Sequence, residues 1–216
     1  MTPLFQFCVL CALTYLPLAR RPAGLVRSLV KTASVAGLAV SASLAGEFGL
    51  ATALGLCALG DLLLSRDGDG PFAAGVAAFA AGHVGYISLF LSLPESELSR
   101  LPNSPTLVAV LSLLGLGGLM AVLLAPRAGN LRLPVLLYIP IILGMGLAAL
   151  TLPSSGPLAW VLVAALAFVL SDMTLATERF LLPAGHPALR VMPWVIWVLY
   201  WGAQAGFYLV LVQGNG

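Results

Sequence analysis

Apolar runs of about 20 residues alternate with short polar connections along the whole chain. A helix that crosses a ~30 Å hydrocarbon core needs about this length, because it rises ~1.5 Å per residue. The connections are rich in Pro, Gly, Ser and Asn, which favour turns between helices. We therefore predict one all-α domain over residues 1–216, a bundle of about eight transmembrane helices. Their expected bounds are 4–19, 26–45, 48–65, 72–93, 105–125, 132–152, 157–179 and 193–213.

The composition supports a polytopic membrane protein. Hydrophobic residues make up 60% of the chain and charged residues only 8%, whereas soluble domains carry roughly 25% charged residues. The net charge of +2 is too small to indicate a nucleic-acid partner. Cys8, Cys11 and Cys57 lie in apolar runs without the spacing of a disulfide framework or zinc site, so we expect them to pack in the core.

The basic residues predict the orientation of the bundle. Nine of the ten lie at or beside the odd-numbered connections, and Arg100 is the exception. The nine are Arg20, Arg21, Arg27, Lys31, Arg66, Arg127, Arg132, Arg179 and Arg190. Because cytoplasmic loops carry the excess of Lys and Arg, we expect the odd connections in the cytoplasm and both termini outside, in a bacterial inner membrane.

Two aspartates lie within predicted spans: Asp61 in GDLLL and Asp172 in SDMTL. Both lie within roughly 6–11 Å of the predicted cytoplasmic interface. Ionisable groups in spans are rare and usually face the bundle interior or a water-filled cavity. Lys31 is the one cation inside a span near them, so at most one carboxyl is neutralised directly and the other forms hydrogen bonds or stays protonated. Two carboxyls in different protonation states suit acid–base hydrolysis, while the structural alternative is a salt bridge.

Other polar residues are expected to share a pocket that opens toward the cytoplasmic leaflet. Lys31 and Tyr138 lie near the predicted cytoplasmic ends of their helices, whereas His83, Tyr200 and Gln204 lie nearer the membrane midplane. His83 has no second histidine at helical spacing, so we expect no metal site. The tryptophans are interpreted as interfacial anchors, and Glu178 with Arg179 as a pair that reaches toward the headgroups. The tryptophans are Trp160, Trp194, Trp197 and Trp201.

The GDLLL and SDMTL motifs also raise the hypothesis that the chain is a four-plus-four helix duplication. Such a repeat would place Asp61 and Asp172 across a pseudo-twofold axis along the membrane normal. Beyond these two motifs, the sequence similarity between the two halves of the chain is weak.

Five segments together resemble the YhhN-type lysoplasmalogenase family: GDLLL, AAFAAGHVGYISLF, LPVLLYIP, LSDMTLATERF and YWGAQ. The resemblance runs from about Lys31 to Gln204 and departs at Thr32, where a proline is expected. It implies an eight-helix membrane hydrolase that cleaves the vinyl ether of lysoplasmalogens to a fatty aldehyde and a glycerophospho-alcohol. It also implies a lysophospholipid substrate among membrane lipids, no metal or organic cofactor, and a catalytic pair formed by Asp61 and Asp172.

The implied chemistry fits two carboxyls, since vinyl ether cleavage begins with protonation of carbon and continues with water attack on an oxocarbenium ion. Asp172 is slightly preferred as the acid because it lies deeper, and Lys31 is expected to contact either the phosphate or an aspartate. The expected supporting residues are Lys31, His83, Tyr86, Tyr138, Ser171, Tyr200 and Gln204. The alternatives are a proton- or cation-coupled transporter that uses the same aspartates, and a non-catalytic scaffold. The oligomeric state is left open.

Overall fold

The computed structural model describes residues 2–214, and this part of the chain is helical with no strand. The first α-helix continues into a short 3-10 turn, and the last two α-helices each continue into a short π-helical segment. Their bounds are α1 Pro3–Tyr15 (extended by Leu16–Leu18), α2 Leu25–Leu44, α3 Phe48–Leu64, α4 Asp69–Ser92, α5 Thr106–Leu124, α6 Arg132–Ala149, α7 Ala159–Ala176 (extended by Thr177–Leu181) and α8 Met192–Tyr208 (extended by Leu209–Gln213).

The helices are those of a polytopic integral membrane protein. Within residues 2–214, six helical segments are long and apolar enough to cross a membrane, and two apolar helices are shorter. The six are Leu25–Leu44, Asp69–Ser92, Thr106–Leu124, Gly129–Ala149, Ala159–Leu181 and Met192–Gln213, and the shorter two are Pro3–Leu18 and Phe48–Leu64. The outer surface carries large apolar side chains, including Leu44 at 80% exposure and Val122 at 73%, which a lipid environment accommodates.

The polar connections form the turns that separate these helices. Gly46 (φ 85°) ends the α2–α3 turn, and Gly68 (φ 106°) precedes α4. A residue with a Cβ is strained at such angles, so glycine allows these short reversals. The polar connections predicted from the sequence therefore coincide with the observed helix ends to within a few residues.

Six helices form a closed ring in the order α2, α3, α4, α6, α7 and α8, with α8 packing back against α2. Two helices lie outside the ring, α1 against α2 and α5 against α6. Small residues permit the close α3–α4 contact: a Cβ on Gly82 would lie 2.7 Å from the Cys57 Sγ atom, and one on Gly60 2.6 Å from the Phe79 ring. Such contacts between small residues are a common means of packing membrane helices.

The packing order repeats after four helices. α2, α3 and α4 pack in sequence, as do α6, α7 and α8, and each outer helix covers the first ring helix of its half. This is the order that a four-plus-four duplication would produce, and it places Asp61 on α3 and Asp172 on α7 at equivalent positions in the ring.

The odd-numbered connections meet at one end of the bundle, which we call the basic end. There Trp194 donates its indole N–H to the Leu16 carbonyl at 2.9 Å, and Arg179 forms an ion pair with Asp69 at 3.2 Å. At the opposite end, Arg100 donates to the Thr151 carbonyl at 2.8 Å. The segregation of basic residues seen in the sequence is therefore a real asymmetry between the two ends.

Candidate active site

A cavity of about 230 Å³ lies between the helices of the bundle and extends to the basic end. All eight helices contribute to its lining, which is mostly apolar. The polar side chains in the lining include Lys31, Asp61, Tyr138, Asp172 and Tyr200. Two carboxyl groups therefore face one largely apolar space.

Asp61 is fully buried, and each of its oxygens has a partner. The Lys31 Nζ atom lies 2.9 Å from Oδ1, and the Tyr200 hydroxyl donates to Oδ2 at 2.7 Å. The Lys31 side chain is 17% exposed, and its Nζ also lies 5.8 Å from the centroid of the Tyr200 ring. Since a buried carboxylate is tolerated when it is paired and hydrogen-bonded, this arrangement holds an ionised Asp61.

Asp172 has a different environment. It is half-buried, lines the cavity and accepts a hydrogen bond from the Tyr138 hydroxyl through Oδ2. Within residues 2–214, no Lys, Arg or His nitrogen lies within 4.0 Å of either of its oxygens. The neighbouring Ser171 also lines the cavity, but its hydroxyl donates to the Ile196 carbonyl of α8 at 3.0 Å. Asp172 therefore faces the cavity with a phenol as its partner and without a cation.

His83, Tyr86 and Gln204 are fully buried and lie outside the cavity lining. The Tyr86 hydroxyl donates to the Gln204 Oε1 atom. The His83 Nδ1 atom lies 2.6 Å from the Phe79 carbonyl, which assigns the proton to Nδ1 because a carbonyl only accepts. The His83 ring packs 5.5 Å from the Tyr138 ring, so these residues support the cavity wall from behind.

The model of the YhhN family matches residues 26–211 of this chain. The chain belongs to the YhhN family. The match includes all nine site residues predicted from the sequence, from Lys31 to Gln204. No match was found among curated proteins or among solved structures.

The YhhN cavity also contains residues to which the sequence analysis gave another role. Trp197, interpreted as an interfacial anchor, is 3% exposed and lines the cavity. Its indole donates to the Ala12 carbonyl at 3.0 Å, and its ring lies 4.3 Å from that of Tyr15. Its inward position could have been predicted from its spacing to Tyr200 and Gln204, because positions i, i+3 and i+7 lie on one helix face.

Two further lining residues of the YhhN cavity are Arg27, interpreted from the sequence as an orientation signal, and Glu178, interpreted as a helix-end charge that reaches toward the headgroups. Arg27 lies one turn from Lys31 on the same face of α2, and Glu178 belongs to the π-helical extension of α7. Both lie at the basic end of the cavity. Among residues 2–214, no group of three His, Cys, Asp or Glu side chains is arranged to hold a metal ion.

Apolar side chains of α5 and α7 also line the cavity, among them Leu116, Met120, Met173 and Ala176. Leu116 in addition borders a second, apolar hollow lined by residues of α5 and α7 and by Leu150. The lining of the YhhN cavity therefore combines the polar side chains of the carboxyl pair and its partners with apolar side chains of α5 and α7.

Proposed function

We propose that this YhhN-family protein is a membrane hydrolase that cleaves the vinyl ether bond of lysoplasmalogen-type lysophospholipids. The products are a fatty aldehyde and a glycerophospho-alcohol. The observation that carries this proposal is the unequal pair of carboxyls in one apolar cavity, Asp61 beside a cation and Asp172 without one. The family and the helical fold support a membrane protein of the YhhN type. The carboxyl pair supports acid–base hydrolysis as its reaction.

The cavity suits a single-chain lipid. Its volume of about 230 Å³, below the ~300–1,000 Å³ of ordinary small-molecule pockets, suits the vinyl ether and neighbouring carbons of such a lipid rather than the whole molecule. A lipid that lies between α5 and α7 places its chain against apolar side chains and its ether oxygen near the polar wall. From the excess of Lys and Arg in cytoplasmic loops we infer that the site faces the cytoplasmic leaflet of a bacterial inner membrane, with both termini outside.

Asp172 is assigned as the acid because a carboxyl in an apolar site without a cation is best accommodated in its neutral form. It gives its proton to the alkene carbon that is not bonded to oxygen, and the double bond becomes an oxocarbenium ion. Tyr138 holds the carboxyl in place and stabilises the carboxylate that remains.

Water then attacks the oxocarbenium carbon, and the Asp172 carboxylate accepts a proton from that water. Asp172 then gives this proton to the glycerol oxygen as the hemiacetal breaks its bond to that oxygen, and the Asp172 carboxylate takes the proton of the hemiacetal hydroxyl as the aldehyde forms. Asp61 remains ionised throughout and adds negative potential beside the developing cation. One water is consumed, and Asp172 is protonated again at the end.

Aldehyde release by the purified protein in detergent tests this proposal. A 1-alkenyl lysophospholipid should give aldehyde, while the matched 1-alkyl and 1-acyl lipids should give none. Asp172→Asn should lower kcat by about 100-fold or more, since a positioned general acid contributes 10²–10⁴-fold. Asp61→Asn should also remove activity. Folded Asn variants that both turn over normally would refute the mechanism.

The carrier alternative rests on the repeated helix order, since parallel repeats around a midplane site occur in transporters. Flux of a lysophospholipid or a cation into proteoliposomes without aldehyde formation would favour that alternative. The same preparation can be assayed for both outcomes.

A further inference from the structure

Two oppositely charged side chains at the basic end of the cavity, Arg27 and Glu178, interact electrostatically with each other but are not joined by an ion pair within 4.0 Å. Arg27 and Glu178 both line the cavity, and among residues 2–214 neither forms an ion pair or a hydrogen bond through its side chain. The Arg27 Nε atom and the Glu178 Oε2 atom are each buried without a hydrogen-bond partner. Buried polar atoms are normally paired, so these two atoms indicate groups that a ligand completes.

The neighbouring charges do not share this property. Arg179, next to Glu178, forms an ion pair with Asp69 at 3.2 Å and lies over the Phe72 ring at 5.3 Å. Arg20 lies over the Trp194 ring at 5.2 Å. Arg27 and Glu178 are thus distinguished by their place in the cavity wall and by buried polar atoms that have no hydrogen-bond partner.

Their positions along the helices match the dimensions of a lysophospholipid. Arg27 lies four residues from Lys31, or about 6 Å along α2, toward the basic end. Glu178 lies six residues from Asp172, or about 9 Å along α7, in the same direction. In a lysophospholipid the phosphate is one glycerol length from the sn-1 oxygen, and the ammonium of an ethanolamine or choline group is two carbons beyond the phosphate.

We propose that Arg27 and Glu178 form a site for a zwitterionic phospholipid headgroup, in which Arg27 binds the phosphate and Glu178 binds the ammonium. A guanidinium presents several donors that match phosphate oxygens, and a carboxylate compensates a primary or quaternary ammonium. A headgroup with both charges compensates both side chains, whereas a glycerol headgroup can only hydrogen-bond to Glu178 and leaves its negative charge beside a phosphate without a cation from the ligand. This inference names the headgroup class of the proposed substrate and rests on the proposed function for the identity of the lipid.

Binding of 1-acyl lysophospholipids tests the headgroup site without using the reaction, because these lipids lack the vinyl ether. The probes are lysophosphatidylethanolamine, lysophosphatidylglycerol and a monoacylglycerol of the same chain, with Kd measured on the full-length protein in detergent. The wild type should bind the ethanolamine lipid about 10- to 100-fold more tightly than the glycerol lipid, the range expected for a hydrogen bond to a charged group.

Two variants separate the roles of the pair. Glu178→Gln should abolish the preference for ethanolamine over glycerol, and Arg27→Gln should weaken both phospholipids about tenfold or more while leaving the monoacylglycerol unchanged. Arg27→Lys should recover part of the phosphate affinity. Arg179→Gln is the matched control, since it removes a neighbouring charge outside the cavity, and it should keep the wild-type pattern.

Equal affinity of the wild type for both phospholipids would overturn the proposal. So would Glu178→Gln and Arg27→Lys variants that show the unaltered wild-type pattern. Failure here together with aldehyde release would refute the headgroup site alone, whereas headgroup-selective binding without aldehyde release would refute the proposed hydrolysis alone.

Discussion

The two halves of the helix ring place an aspartate at equivalent positions but surround it differently. In the first half, α2 supplies Lys31 to Asp61 on α3. In the second half, the equivalent α6 supplies Tyr138 to Asp172 on α7. A cation fixes the charge of one carboxyl, and a phenol leaves the other free to carry a proton. On this difference in partners rests our proposal that one packing arrangement holds two carboxyls in different protonation states.

The largest effect on this comparison is expected from Lys31→Met. This change leaves the fully buried Asp61 without its cation, and removing one partner of a buried ion pair costs about 3–5 kcal/mol. The free energy of unfolding in detergent should fall by that amount, and aldehyde release should fall with it.

The double variant Lys31→Met/Asp61→Asn is the matched control for this prediction. It removes both charges together, so most of the lost stability should return while activity stays absent. A double variant as unstable as Lys31→Met would show that the lysine acts through packing rather than through its charge on Asp61.

A smaller and more selective effect is expected from removing the two phenolic hydroxyls one at a time. Tyr138→Phe removes the only hydrogen-bond donor to Asp172 within residues 2–214, so kcat should fall about tenfold or more. Tyr200→Phe leaves Asp61 with Lys31, so its main effect should be a loss of about 1–3 kcal/mol in unfolding free energy. Turnover and unfolding measured on both variants check this difference, and equal kcat losses in the two would contradict the separate roles.

The sequence was sufficient for the fold class, the family and the approximate helix bounds. Length, hydropathy and turn residues determine these features, and the structure differs mainly at helix ends, where α1, α7 and α8 change to 3-10 or π-helical turns. Six of the nine predicted site residues line the cavity, and His83, Tyr86 and Gln204 lie behind it. The catalytic roles themselves stay predictions.

The sequence could not show which faces of the helices point inward. A helix that is apolar all round gives no amphipathic signal, so the sequence did not show that α8 turns Trp197 inward, where its ring packs against Tyr15. For the same reason the sequence could not decide whether Lys31 contacts Asp61 or a phosphate. Arg27 and Glu178 looked like ordinary end-of-helix charges until the ring brought them to one cavity.

The central claim, that a carboxylic acid protonates the alkene carbon, is tested most directly by hydrolysis in heavy water. The wild-type protein should release an aldehyde that carries one deuterium on the carbon next to the carbonyl, and Asp172→Asn should release none above background. A reference aldehyde incubated in the same heavy water corrects for exchange after release. An aldehyde without that deuterium, or a labelled aldehyde formed equally fast by Asp172→Asn, would contradict the account.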